Sequence, residues 1–242
     1  MTAEEGRMAL VRFKDLCIDV RDVESAADFW GAALSLEQND PLEVHPGVGM
    51  LRGATPQQTV WLNAVPEPKT VKNRVHLDLR APSLDLDVFA GLARVTEPGE
   101  LPWTVLRSPE GDEFCVFVDE SVAAPRLKDL EVDAVDHARI GRWWAELLGG
   151  EAVRDETPHG TYTFVTGVPD APFEDIDFAP VPEPKLVKNR LHWDVTLEPG
   201  VEVADLVDRG AHLLRSPDGT ISWSVLTDPE GNEFCVFATP ER

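Results

Sequence analysis

The chain has 242 residues, enough to bury the cores of two ordinary domains, and its 43% hydrophobic content with interspersed charge is that of a folded protein. Lys and Arg total 22 against 44 Asp and Glu; the formal charge of −22 repels phosphate backbones and argues against a nucleic-acid partner. No apolar run approaches the roughly 20 residues of a membrane helix and Met1 to Arg7 lacks a signal-peptide pattern, so a cytoplasmic protein with no membrane partner is expected, monomeric or homodimeric.

Leu10 to Val20 alternates apolar and polar residues and reads as a strand. Asp22 is placed to cap a helix in which Ala26, Phe29, Trp30, Ala33 and Leu34 recur at three- and four-residue intervals. Strands are expected at Leu42 to Val48 and Met50 to Gly53, broken by Pro46-Gly47, and at Thr59 to Ala64. Pro66 and Pro68 preclude a regular helix, so Val65 to Asn73 is a loop. In the strand Arg74 to Arg80, Arg74, His76 and Asp78 share one face while Val75, Leu77 and Leu79 share the other. Leu84 to Ala93 is expected to be a helix and Pro102 to Arg107 a strand. Ser108 to Asp112 has turn chemistry, with Gly111 suited to positive φ, and Glu113 to Val118 is an apolar closing strand.

The pattern then restarts. Val65-Pro-Glu-Pro-Lys-Thr-Val-Lys-Asn-Arg-Val-His-Leu-Asp-Leu79 returns as Val181-Pro-Glu-Pro-Lys-Leu-Val-Lys-Asn-Arg-Leu-His-Trp-Asp-Val195, identical at eleven of fifteen positions. The helix recurs at Ile140 to Leu148, another helix is expected at Val203 to Arg209 and a strand at Ile221 to Val225. The ending Glu-Phe-Cys-Val-Phe occurs at both 113–117 and 233–237. A duplication of about 115 residues per copy follows, with two units of strand, helix and three strands in each. Residues 8–120 form the first copy, 121–126 a linker and 127–240 the second.

The repeated polar residues have two readings each. Lys72, Arg74, Lys188 and Arg190 form a basic rim for an anionic substrate, or they pair with acidic side chains and fix the loop. Trp61 and Trp193 line a cavity, or they are core. Cys17, Cys115 and Cys235 sit in apolar strand settings and read as reduced packing residues. The acidity serves solubility or draws a cationic ligand.

The unit order, the Phe-Trp-x-x-x-Leu helix, the Lys-Asn-Arg-x-His-x-Asp strand and the Asp-Pro-Glu-Gly-Asn-Glu-Phe ending resemble the vicinal oxygen chelate superfamily. That group includes glyoxalase I, extradiol dioxygenases, fosfomycin-resistance enzymes and bleomycin-resistance proteins. The resemblance implies an α+β fold of tandem glyoxalase-like domains, four βαβββ units forming cup-shaped mixed sheets with flanking helices. It implies a small-molecule cavity and a divalent metal (Fe, Mn, Ni, Zn or Mg). His76, Glu113 and Asp15 would be the ligands in one copy, with His192, Glu233 and Asp129 in the other; Glu113 and Glu233 would also be catalytic. Asp15 and Asp129 fall where the superfamily normally has histidine, which leaves two functional readings open. One is a metal-dependent lyase, isomerase or dioxygenase; the other is a metal-independent drug-binding protein of bleomycin-resistance type, with no cofactor.

Overall fold

The computed structural model describes residues 9–39 and 47–239. The first unit runs β1 (Val11–Val20), α1 (Val23–Leu34), β2 (Glu37–Gln38), β3 (Val48–Arg52) and β4 (Val60–Ala64). The second is β5 (Val75–Ala81), a 3₁₀ turn at Asp87–Phe89, β6 (Thr104–Arg107) and β7 (Glu113–Val118). The third is β8 (Arg126–Ala134), α2 (His137–Leu148), β9 (Glu151–Thr157), β10 (Gly160–Thr166) and β11 (Asp175–Pro180). The fourth is β12 (Leu191–Leu197), α3 (Val203–Val207), β13 (His212–Arg215), β14 (Ser224–Thr227) and β15 (Glu233–Phe237).

Local signals act as expected at α1. Asp22 accepts the Ser25 amide at 3.1 Å, and Ser35, left-handed at φ 54°, closes the helix by donating to Gly31 O. Asp136 accepts the Arg139 amide at the start of α2, and Gly149, left-handed at φ 74°, ends it. The apolar stripes of the two helices fill the space between two sheets. Helix α1 lies on β3 and β4, and its Phe29 and Trp30 meet Phe114 of β7 edge-on. Helix α2 lies on β10 and β11 and brings Trp144 against Trp193 and Phe234. Such aromatic pairs add roughly 0.5–1.5 kcal/mol each beyond area burial.

Leu84 to Ala93 is not a helix beyond the 3₁₀ turn. Leu84, Leu86 and Val88 recur every second residue and pack on the core, a period of two that an α-helix cannot present to one side. Val203 to Val207 is helical as expected, though two residues shorter at its end. β13 was not foreseen from sequence; its second-unit counterpart is the isolated bridge Arg94↔Leu106, so one sheet has eight strands and the other seven. The strand expected at Ile221 begins at Ser224. Leu42 to Pro46 lies outside the described residues.

Sheet composition follows a rule that crosses the repeat. The eight-stranded sheet runs β13-β14-β15-β12-β1-β4-β3-β2, joining the first unit to the fourth. The seven-stranded sheet runs β6-β7-β5-β8-β11-β10-β9, joining the second to the third. Antiparallel β1–β12 and β5–β8 seams form the two junctions. Each seam carries a register shift, at Lys14 in β1 and at Lys128 in β8, and such bulges bend and twist a strand. The seven-stranded sheet curls until its edges approach: Trp103, beside β6, lies 5.4 Å from His159 of the β9–β10 turn. Each sheet thus has an outer apolar face against the helices and an inner face lined by polar side chains.

Candidate functional site

Strand alternation sets the inner faces. In β1, Leu16 and Ile18 enter the core while Asp15 and Cys17 point the other way; in β12, Leu191, Trp193 and Val195 alternate with His192 and Asp194. Register fixes neighbours: Asp15 lies opposite Asp194, and Trp61, Cys17 and His192 form the next row across β4, β1 and β12. In the seven-stranded sheet Asp129 lies opposite Asp78, and Phe164, Asp177, Glu131 and His76 form the corresponding row across β10, β11, β8 and β5.

The ligand sets therefore differ from the sequence grouping. Asp15 belongs with His192, not His76; Asp129 belongs with His76, not His192. The expectation paired residues within each repeat, whereas the seams pair units across it.

Glu113 and Glu233 do not join either set. Glu113 accepts from Lys69 Nζ at 3.0 Å and the Asn73 amide at 3.2 Å; Glu233 accepts from Lys185 Nζ at 2.7 Å and the Asn189 amide at 3.1 Å. Burial disfavours the Glu113 anion, but Lys69 and the Asn73 amide outweigh it and hold the pKa below the usual carboxylate value. Both glutamates anchor the Pro-Glu-Pro-Lys loops, and among the described residues neither belongs to a cluster of candidate ligand atoms.

The residue each sheet does present is two positions further on, Cys115 or Cys235. Cys115 Sγ is 3.5 Å from His76 Nε2, and Cys235 Sγ is 3.6 Å from His192 Nε2. Reading these cysteines as plain packing residues missed them, although Glu113 and Cys115 share a strand face by alternation.

The basic residues of the repeat hold the halves together. Arg74 donates to Glu183 O at 2.7 Å and Asp133 O at 2.8 Å. Arg190 donates to Glu67 O at 3.1 Å and to the Glu110 carboxylate at 2.9 Å. Lys72 pairs with Asp133 at 2.6 Å, and Lys188 with Asp19. Their charges are paired within the fold, as the pairing reading expects. Glu110 and Glu230 also accept the amides of Arg21 and Asp22, and of Val135 and Asp136, tying each turn to the start of a helix in another unit. Trp193 is core, buried against Trp144, and does not line a site. Trp61 does reach an inner face, where its indole donates to Asp15 Oδ2 at 3.0 Å.

Electrostatically the seven-stranded sheet is the more charged. Asp78, Glu131 and Asp177 bring carboxylate oxygens within 4.8 Å of one another, as do Asp129, Asp175 and Asp177. Burial, reinforced for Asp177 and Glu131 by the other carboxylates, pushes Asp78 up to about 6, Asp177 to about 8 and Glu131 well above its usual value. Asp78 Oδ1 and Asp177 Oδ1 are buried without a hydrogen-bond partner. Lys128 contacts Asp129 and sits 4.7 Å over the Phe117 ring, which Trp103 stacks on at 5.3 Å. Burial and then the Lys72 charge lower His76 to about 3, so it is neutral, with Nδ1 unpartnered. The sequence places Asp78 on the face of His76 but gives no role to Glu131 or Asp177, although Asp175-Ile-Asp-Phe178 alternates in a way that puts both aspartates on one face. Surface clefts beside Leu34 and Gln58, and under Leu84 to Arg94, hold no comparable set of donors.

A glyoxalase-like domain model matches residues 15–117 and again 129–237. The chain belongs to the glyoxalase-like domain family. Glyoxalase I from Zea mays superposes with TM-score 0.65 at 15% identity, covering 93% of this chain and 92% of that one. The CppA protein of Streptococcus pneumoniae superposes with TM-score 0.52 at 12% identity, covering 96% and 99%. At these identities the likeness is one of fold, and the α+β tandem architecture of the family is confirmed. No curated protein matches the sequence. No helix among the described residues is long and apolar enough to cross a membrane.

Proposed function

We propose that this glyoxalase-like protein binds a small molecule at the inner face of the seven-stranded sheet, with a divalent cation held by Asp78, Glu131 and Asp177. One observation carries the reading. Two buried carboxylates, Asp78 and Asp177, converge with the half-buried Glu131 and leave two oxygens unpartnered, and such a group must either keep protons or take a cation. The oxygen-rich donor set suits Mg²⁺ or Mn²⁺. Asp129 has one oxygen committed to the Asp175 amide at 3.0 Å and supports the set from behind.

When bound, the cation would polarise a substrate oxygen and stabilise negative charge developing on it, as lyase, isomerase or dioxygenase chemistry requires. The chain's own residues supply the rest. Neutral His76, with Nε2 3.6 Å from Asp78 Oδ1, stands beside the acidic set where it can take a migrating proton. Phe164, registered with Asp177, and Trp103, stacked on Phe117, give flat apolar walls, and the Trp103–His159 contact shields the bound molecule from water.

A second reading, metal-independent binding of a cationic small molecule, draws support from the same acidic floor beside aromatic rings. Calorimetric titration of chelator-treated protein with Mn²⁺ and Mg²⁺ separates the two. Saturable binding lost in Asp177→Asn supports the first reading. No binding by wild type, together with saturable uptake of an organic cation, replaces it with the second.

A further inference from the structure

The repeat relates two places at the seams, and one is filled where its counterpart is hollow. Phe13 of β1 meets Phe173, three residues before Ile176 of β11, edge-on at 5.0 Å, and both rings are buried. The matching positions in the other copies of these segments are Leu127, in Leu-Lys-Asp-Leu against Phe-Lys-Asp-Leu, and Gln57, three residues before Val60 of β4. Where these smaller or more polar side chains stand, a cavity of about 80 Å³ opens. Leu16, Leu34, Val60 and Leu127 wall it, and Gln57 and Arg126 line it as well. We propose that this cavity is a binding site for a small aromatic carboxylate, its ring in the apolar space and its charge on Arg126.

The filled counterpart shows what fits. Two aromatic rings are missing from the hollow side, so a single bound ring restores contacts of the kind Phe13 and Phe173 make with each other. Empty apolar cavities are known to take up small aromatic molecules. The walls are fixed beforehand: Leu16, Leu34 and Val60 are buried, and the Ser35 hydroxyl donates to Pro125 O at 2.6 Å, tying the start of β8 to the end of α1. The Arg126 side chain is half exposed and lies 3.3 Å from Glu174, whose nearer partner is Arg80 at 2.6 Å. Glu174 therefore keeps a counter-ion when Arg126 turns to a ligand carboxylate, which a guanidinium grips through two N–H groups. The Gln57 amide offers a further donor. Leu16 and Val60 point into the core, away from both inner faces, so this site does not rest on the acidic one.

The test is calorimetric titration of the full-length chain with benzoate, localised by nuclear Overhauser contacts from its ring protons. The expected result is one equivalent, with contacts to the methyl groups of Leu34, Val60 and Leu127. Gln57→Phe with Leu127→Phe rebuilds the aromatic pair and should abolish binding while raising the melting temperature. Arg126→Gln should weaken benzoate about 10-fold and leave benzyl alcohol, which carries no charge, bound as in wild type. Asp177→Asn should bind benzoate as wild type does. Absence of saturable binding by wild type overturns the proposal without any variant. So do ring contacts to Trp103 or Phe164 in place of Val60, or binding kept by the rebuilt pair with wild-type circular dichroism.

Discussion

The two inner faces share one framework and differ at a few positions. Each has an aspartate pair across its seam, a His-x-Asp on one strand and a cysteine on a last strand. The row that passes through the histidine reads Met50, Trp61, Cys17, His192 in one sheet and Phe164, Asp177, Glu131, His76 in the other. Two exchanges, cysteine for glutamate and tryptophan for aspartate, turn a soft, partly plugged face into a hard, acidic one. The repeat thus preserved the backbone and the supporting contacts while the donors diverged, as expected where function lives in side chains grafted on a fold.

The comparison can be broken outright by exchanging those donors. Cys17→Glu with Trp61→Asp should give the eight-stranded sheet an Mn²⁺ site like the one proposed for the other sheet, read as a second calorimetric equivalent. Removing Asp177 as asparagine should weaken Mn²⁺ binding by at least about 10- to 100-fold, since even supporting residues cost that much when lost.

A smaller effect should appear equally in both halves. Glu113→Gln and Glu233→Gln each weaken the anchor of a loop, and losing a charged hydrogen-bond acceptor costs about 1–3 kcal/mol. Denaturant unfolding should show similar losses for the two, with Mn²⁺ binding unchanged; unequal losses would mean that the repeated loops are not equivalent.

Acidity sharpens the contrast further. Burial, with Asp15 opposite, lifts Asp194 to about 8, so the folded chain holds a proton that the unfolded chain releases near the ordinary aspartate value. Its contribution favours folding at low pH and is lost as pH rises through about 8. His192 behaves oppositely: burial lowers it to about 4, so its contribution falls away as pH drops below the usual histidine value toward 4. In chelator, Asp194→Asn should flatten the decline of melting temperature between pH 6 and pH 8.5; an unchanged slope would show that Asp194 is ionised. The smallest change expected is Trp61→Phe, which removes one hydrogen bond to Asp15 and should cost about 1 kcal/mol.

Much of this was legible in the sequence for a physical reason. Periodicity, the caps at Asp22 and the Pro-Glu-Gly turns are local, and the repeated Lys-Asn-Arg-x-His-x-Asp strand identified the family's architecture. What escaped was non-local. Nothing within one copy says that β1 will pair with β12 rather than β5, so the sequence groups Asp15 with His76 whereas the strand register sets it near His192. Glu113 and Cys115 lie on one strand face, and charge favoured the glutamate until Lys69 and the Asn73 amide were seen to occupy it. Leu84 to Ala93 has helix-forming residues but a strand-like spacing, and packing decided in favour of the spacing.

The crossed seams have a consequence for how such a chain can arise and be divided. Arg74 reaches the Pro-Glu-Pro loop of the second copy, and Arg190 that of the first, so the copies clasp each other reciprocally. A single copy would keep its own units but leave β1 and β5 each with a bare edge, and the natural cover for those edges is a second identical copy. The tandem chain is therefore a two-fold dimer written into one polypeptide. Fusion freed its two once-equivalent faces to change independently, which no symmetric dimer can do.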